Sequence, residues 1–254
     1  MNPNRKEAPV AAVILAAGKG TRMRSESAKV LHCLGGRPMV LLPVEAARAV
    51  GAETIVLVVG HQADKVRETV EKQTGDVLFV LQRRQLGTGH AVLQARRALK
   101  EFSGTVMILC GDVPLLTKET LKAFLDNHRR GGAPVTVLTS HPPDPSGYGR
   151  VVRDAEGHVT GIVEEADTGD AEKKIGEINT GIYCVESAFL FDALGSVGVD
   201  NAQKEYYLTD IVGEAARRGL AVRAYELADH REAMGINTPE QLDEAHNIMR
   251  ERLP

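Results

Sequence analysis

Short apolar runs that break abruptly into glycine or charge recur along this chain. Residues 10 to 16 (VAAVILA) empty into Ala17-Gly18-Lys19-Gly20-Thr21-Arg22-Met23. A run of this length and β-branched content fits a strand covered on both faces of a parallel sheet. Similar runs follow at Ile55 to Val59, closed by Gly60, and at Val77 to Leu81. Two more lie at Val106 to Cys110, closed by Gly111-Asp112, and at Val135 to Thr139. Between them the pattern predicts helices from about Pro38 to Val50, from Asp64 to Lys72, from Thr88 to about Lys100, and from near Thr117. Strand alternating with helix predicts an α/β chain with a doubly wound parallel sheet.

Beyond residue 140 the texture changes. Residues 141 to 149 (HPPDPSGYG) form a proline- and glycine-rich loop, and two short alternating strands meet across Asp154-Ala155-Glu156-Gly157 as a hairpin. An acidic segment, Glu164 to Lys174, precedes Glu177 to Tyr183, whose apolar run is broken by Asn179 and Thr180. Two readings of that break stand side by side: hydrogen-bonding groups turned toward a neutral polar ligand such as a sugar, or an edge strand with a solvated polar pair. Residues 203 to 219 read as a helical stretch, and Val222 to Leu227 as a late strand. Thr238 then caps a last helix with Pro239 at its first position. Without internal repeats or a long linker, residues 1–254 read as one domain.

Composition narrows the function classes. With 43% hydrophobic and 26% charged residues the chain is globular, and no apolar run approaches the length of a bilayer. A net charge of -3 leaves no overall nucleic-acid footprint, and 4% aromatics without Trp offers no stacking platform for single strands. Neither nucleic acid nor membrane is therefore an expected partner. Cys33, Cys110 and Cys184 are scattered, and the last two read as small core hydrophobes. Met1 to Pro9 lacks the apolar core of a signal peptide, so a reducing cytoplasm is the expected location.

The chemistry concentrates where the first strand ends. Gly18 and Gly20 allow an anion close to the backbone, while Lys19, Arg22, Arg24 and Lys29 supply charge suited to a triphosphate. A Walker A loop would need Ser or Thr after the lysine, where Gly20 stands, and the dinucleotide fingerprint needs a small residue in place of Met23. The bland alternative is a tight turn alone. Further on, Gln82 offers a donor and an acceptor for a base edge beside Gly87 and Gly89. Thr88 reads as an N-cap, and His90, just inside the helix, as structural. Asp112, at the end of a central strand, reads as a magnesium ligand, against the alternative of a loop residue capping the helix near Thr117.

On these residues the chain resembles the nucleotide-diphospho-sugar transferase family and, within it, the N-acetylglucosamine-1-phosphate uridyltransferases. Leu15 to Met23 matches the signature loop. Gln85 to Ala91, Gly111 to Leu115, Gly147 to Arg150, Glu177 to Tyr183 and Glu205 to Asp210 match further motifs in order. The resemblance implies a Rossmann-like fold: a mostly parallel central sheet with helices on both faces, plus a small β-rich sugar-binding lobe. Residues 10–140 would be the nucleotide-binding part, 141–240 the sugar-phosphate-binding part and 238–254 a C-terminal helix.

The resemblance also implies roles. Leu15, Ala16, Ala17 and Gly18 would pass beside the nucleotide, with Gln82, Gly87 and Thr88 on uracil. Arg22 and Lys29 would hold the triphosphate as the catalytic cations. Gly149, Glu164, Asn179, Tyr207, Thr209 and Asn237 would line the sugar-phosphate site, and Asp112 with Asn237 would bind Mg2+. The implied substrates are UTP and N-acetylglucosamine 1-phosphate. The remaining alternatives are a nucleotidyltransferase of another sugar or base, such as the UDP-glucose type, or a sensor that binds without turnover. One departure is Ala28, where the family commonly has proline. Relatives of this kind continue into a β-helix that carries acetyltransferase activity and forms trimers, and neither property is carried over.

Overall fold

The apolar runs become strands because each is flanked by residues that end it and is long enough to be covered on both faces. In the computed structural model, which describes residues 8 to 252, the chain opens with β1 (Val10–Ala16). It continues through a short hairpin, β2 (Cys33–Leu34) and β3 (Arg37–Pro38), to α1 (Leu41–Ala49), β4 (Ala52–Val59) and α2 (Ala63–Glu71). Next come β5 (Val77–Leu81), α3 (Thr88–Gln94), β6 (Thr105–Cys110), α4 (Lys118–Gly131) and β7 (Val135–Ser140). The second half holds β8 (Arg150–Arg153), β9 (Val159–Val163), β10 (Ile178–Glu186), α5 (Ser187–Ala193), α6 (Asp210–Arg217), β11 (Val222–Glu226) and α7 (Pro239–Glu251). Most of the charged amino-terminal segment and the last two residues of the expected 238–254 helix lie outside the described residues.

Seven strands form the main path of one sheet in the order β11-β7-β10-β6-β1-β4-β5, and β8 joins it through β10, with β9 paired to β8. Pairing is parallel for β1 with β4 and β6, for β4 with β5, and for β11 with β7. β10 alone runs antiparallel inside the main sheet, between β6 and β7. The sheet is therefore mostly parallel, as expected, but Asn179 and Thr180 sit on a central strand and not on an edge. A hydroxyl there needs a partner, and Thr180 Oγ1 donates to the Leu138 carbonyl at 2.7 Å.

Alternation along β1 divides the core. Val10, Ala12 and Ile14 pack on one side with α1, α2 and α4 residues such as Val44, Val66 and Phe124. Ala11 and Val13 pack on the other with Val92, Leu190 and Ile211 of α3, α5 and α6. This is the two-layer cover that makes near-continuous apolar strands stable.

Three helices are shorter than their patterns suggest. α1 begins at Leu41 because Arg37–Pro38 pair with Cys33–Leu34 as a hairpin. The helix at Thr88 gives way to turns after Gln94. Residues 203 to 209 are not helical; that stretch crosses the sheet's carboxyl edge, and α6 starts only at Asp210. The last helix starts as its sequence predicts, with Thr238 and Gln241 completing a capping box.

Strands β4 and β5 leave β1 on one side while β6 returns on the other, so the carboxyl ends of β1 and β6 diverge. That switch point is where open α/β sheets bind ligands. Here it holds Gly18 and Asp112, with the Gly111 N–H donating to the Leu15 carbonyl at 2.9 Å.

Candidate active site

The glycine that shapes the basic loop is Gly20. Its φ of +62° is left-handed, and a Cβ there would collide with the Lys29 side chain. At Gly18 a Cβ would meet open space, so its role as an indispensable close-approach residue is not carried by packing. After Gly20 a turn, Thr21–Met23, buries Met23 and leaves Arg22 exposed. A second turn, Lys29–Leu31, aims Lys29 inward.

Lys29 Nζ donates to the Asp112 carboxylate and to Asn237 Oδ1, the latter at 2.8 Å. Three segments distant in sequence thus meet at one point. The Ile236 N–H donates to the Asp112 carbonyl at 2.8 Å, which docks the 235–238 segment. The Asn237 N–H donates to Gln241 Oε1 at 2.8 Å, and Asn237 Nδ2 to the Gly235 carbonyl at 3.3 Å. The last contact turns Oδ1 toward Lys29. Asp112 does not cap α4; Thr117 does so itself, accepting from the Thr120 N–H at 3.2 Å.

Two adjoining cavities open beside this cluster. The first, about 290 Å³, is lined by Ala17, Gly18, Gln82, Gln85, Gly87 and Asp112, among others. The second, about 210 Å³, includes Tyr148, Gly149, Glu164, Asn179 and Thr209 in its wall. Leu15, Thr88 and Cys110 border both. Of the residues expected here, Ala16 is buried in the sheet, and Arg22, Lys29, Tyr207 and Asn237 line neither cavity directly. Cys110, read as a core residue, packs half-buried against the core and also forms a wall shared by both; burial pushes its thiol up to about 12, so it stays neutral.

Thr88 is the first residue of α3 and not its cap. Gly87 holds that position with φ +106°, and Thr88 Oγ1 accepts instead from the Leu208 N–H at 3.0 Å. The Gly89 N–H donates to the Tyr206 carbonyl at 2.8 Å, and the Tyr206 N–H to the Leu86 carbonyl at 2.8 Å. The loop read as the start of a helix therefore staples the 86–89 turn, and its extended backbone supplies the partners.

The second cavity has an acidic wall. Thr209 Oγ1 donates to Glu164 Oε1 at 2.9 Å. Burial holds the Glu164 carboxyl above the usual carboxylate range, and the charges of Asp210, Asp167 and Glu205 push the same way. The Tyr207 hydroxyl donates to Asp167 Oδ2 at 2.9 Å, and the Ala202 N–H to Asp167 Oδ1 at 2.8 Å. Asp167 was missed by the sequence reading, because a lone aspartate in an acidic loop carries no signal of the distant loop it binds. Asn179 Oδ1 accepts from the Gly181 N–H at 3.0 Å. Buried Arg150 donates to the Tyr148 carbonyl and pairs with Glu165 at 2.8 Å, holding the 147–149 loop over the cavity.

The profile of the family described as Nucleotidyl transferase matches residues 11–231, which covers every element named above except α7 and the first residue of β1. The chain belongs to that family. Its relatives include the bifunctional protein GlmU of Geotalea uraniireducens, 57% identical over 244 residues, which are 96% of this chain and 53% of the relative. The GlmU of Geotalea daltonii is 54% identical over 246 residues, 97% of this chain and 54% of that protein. The chain thus spans about half the length of the curated relatives it matches. A putative glucose-1-phosphate thymidylyltransferase from Bacillus anthracis superposes with a TM-score of 0.77 at 18% identity, covering 96% of this chain and 97% of its own. A UDP-glucose pyrophosphorylase complexed with UDP-glucose gives 0.76 at 17% identity, covering 97% and 100%. These two share the nucleotidyl transferase fold. Among the described residues no helix is long and apolar enough to cross a membrane.

Proposed function

We propose that this nucleotidyl transferase joins UTP to N-acetylglucosamine 1-phosphate, giving UDP-N-acetylglucosamine and pyrophosphate. The observation that carries the reading is the convergence of Lys29, Asp112 and Asn237 beside two cavities that share a wall. One cavity has the Gln82 amide for a base, the other a carboxylate, an amide and a hydroxyl for a sugar. The high identity to GlmU relatives supports the choice of uracil and of an N-acetylhexosamine.

The sugar phosphate oxygen is anionic at neutral pH, so no general base is needed. The difficulty is bringing two polyanions together, and positioning with charge neutralisation answers it. Lys29 and Arg22 hold the α-phosphate and the departing pyrophosphate. Glu164, Asn179 and Thr209 hold the sugar so that its phosphate oxygen faces the α-phosphorus in line.

Asp112 and Asn237 fit a magnesium ion. Their side-chain oxygens already converge on one cation, the Lys29 ammonium, and a carboxylate with an amide oxygen is a hard donor pair. With two protein oxygens, phosphates and water would complete the shell. Held by Asp112 and Asn237, such an ion would screen the repulsion between the two phosphates.

Four nucleoside triphosphates assayed against several sugar 1-phosphates, read by pyrophosphate release with magnesium, test the reading. UTP with N-acetylglucosamine 1-phosphate is expected to be the best pair. A better rate with another base or with glucose 1-phosphate reassigns the substrate, and binding without pyrophosphate identifies a sensor.

A further inference from the structure

Gln82 is 3% exposed and lines the first cavity, yet its amide is not free to choose which end it presents. Gln82 Nε2 lies 3.0 Å from the Gly87 carbonyl oxygen. A carbonyl only accepts, so the atom facing it must be the amide nitrogen. The second Nε2 hydrogen points at His90 Nδ1, also at 3.0 Å. Both amide hydrogens are then engaged, and among the described residues no hydrogen bond reaches Gln82 Oε1. An acceptor without a protein partner, on a residue that lines the cavity and not sealed away from it, is open to a ligand donor.

The arrangement requires His90 to be neutral, with its proton on Nε2. Burial and the nearby Arg84 charge both lower the imidazole from its usual value, in keeping with a neutral ring. Gln94 Nε2 also lies 3.2 Å from His90 Nε2, but a neutral ring accepts at only one nitrogen. Gln94 is half-buried and has the His90 carbonyl at 3.0 Å as its acceptor, so it is the partner that yields. His90 lines neither cavity and acts only through Gln82.

We propose that His90 is a positioning residue for base choice: it locks the Gln82 amide with Oε1 toward the cavity, where it accepts from a ring N–H. Uracil presents such a donor at N3. Cytosine presents a lone pair there, so in the same pose two acceptors would face each other. Without His90 only the Gly87 carbonyl holds the amide, so turning Nε2 toward cytosine costs less. This deepens the uridylyl-transfer reading and rests on it.

His90→Phe keeps the ring volume and removes the acceptor, whereas His90→Asn returns an acceptor near the Nδ1 position. In the full chain, the ratio of kcat/KM for UTP to that for CTP is expected to fall about tenfold in His90→Phe, mostly through a higher KM for UTP, and to recover in His90→Asn. A ratio in His90→Phe within about twofold of wild type, or no recovery in His90→Asn, overturns the assignment while leaving uridylyl transfer intact. No turnover of UTP by the wild type would overturn the reading of the site itself. A measurement independent of either variant's folding is the nitrogen NMR of histidine-labelled wild type at neutral pH. A neutral ring protonated at Nε2 supports the lock; a cationic ring, or one protonated at Nδ1, overturns it.

Discussion

Lys29 and Asp112, 83 residues apart, form an ion pair whose lysine also reaches Asn237. One cation and two oxygen donors therefore occupy the point where the loops after β1 and β6 approach the start of α7. Removing any of the three leaves the others miscoordinated. Asp112→Ala and Lys29→Ala are each expected to lower kcat about a hundredfold or more with substrates and magnesium saturating. Excess EDTA should abolish pyrophosphate release. Near-normal kcat in either variant would show that the cluster is structural.

Gly87 is the second point of high sensitivity. A Cβ there would lie 2.5 Å from the Tyr206 carbonyl oxygen, in a backbone region that favours glycine. Gly87→Ala must push away the 205–207 loop and with it the contact from Thr88 to Leu208. We expect KM for UTP to rise at least about tenfold, with the melting temperature lower by a few degrees. Unchanged KM with a normal melting curve would mean that the loop is not part of the base site.

The strands and the switch point could be read in the sequence because burial on both faces leaves a dense local signature. Val77–Leu81 has the bounds its pattern predicts, and Asp112 lies where a central strand ends. What could not be read is non-local. Nothing near Asn179 says that β10 enters between β6 and β7, because strand order is set by partners far away in sequence. The 203–209 stretch has helical composition but spends its backbone groups on the 86–89 turn. Tertiary hydrogen bonds outweigh a propensity of a few tenths of a kcal/mol per residue. The same holds for Thr88, whose hydroxyl serves Leu208 and not its own helix.

Glu164 should trade stability for binding. Its folded pKa is raised, so the folded state binds more protons than the unfolded state as pH rises past about 4.3, and stability is lost as the folded group ionises. Glu164→Gln removes that charge. The variant is expected to melt a few degrees higher at pH 8, with the advantage vanishing below about pH 4. Its KM for the sugar phosphate should rise about tenfold while KM for UTP stays unchanged. A lower melting temperature at pH 8 would contradict the sign of the shift.

At Ala28 two small effects oppose. Its φ of -54° suits proline, which would reduce the freedom of the unfolded chain by about 0.4–1 kcal/mol. The Ala28 N–H, however, donates to Gln62 Oε1 at 3.2 Å, while Gln62 Nε2 donates to the Glu26 carbonyl. Gln62 straps the basic loop from both sides, and proline removes one strap, costing about 0.5–1.5 kcal/mol. Ala28→Pro should therefore shift the melting temperature by less than about 2 °C. A drop of more than about 5 °C would show that the Gln62 strap dominates.

Asp229 ties the end of the chain to the sheet. It accepts from Arg231 Nε at 2.9 Å and from Arg252 Nη2 at 3.2 Å, so the guanidinium groups after α7 and at the 230–233 turn share one carboxylate. Arg231, Arg252 and the Arg231 N–H hold the carboxyl well below the usual range. A depressed folded pKa means that the unfolded state takes up protons first as pH falls. The contribution is complete above about pH 4 and disappears as the pH drops toward the folded value. Because Asp229 is about a third exposed, the network is worth only about 1 kcal/mol, or about 2–4 °C in melting temperature. Asp229→Asn should melt lower by that amount at pH 7, and the two melting curves should converge below about pH 3. A constant difference across that range would mean that Asp229 acts through packing and not through charge.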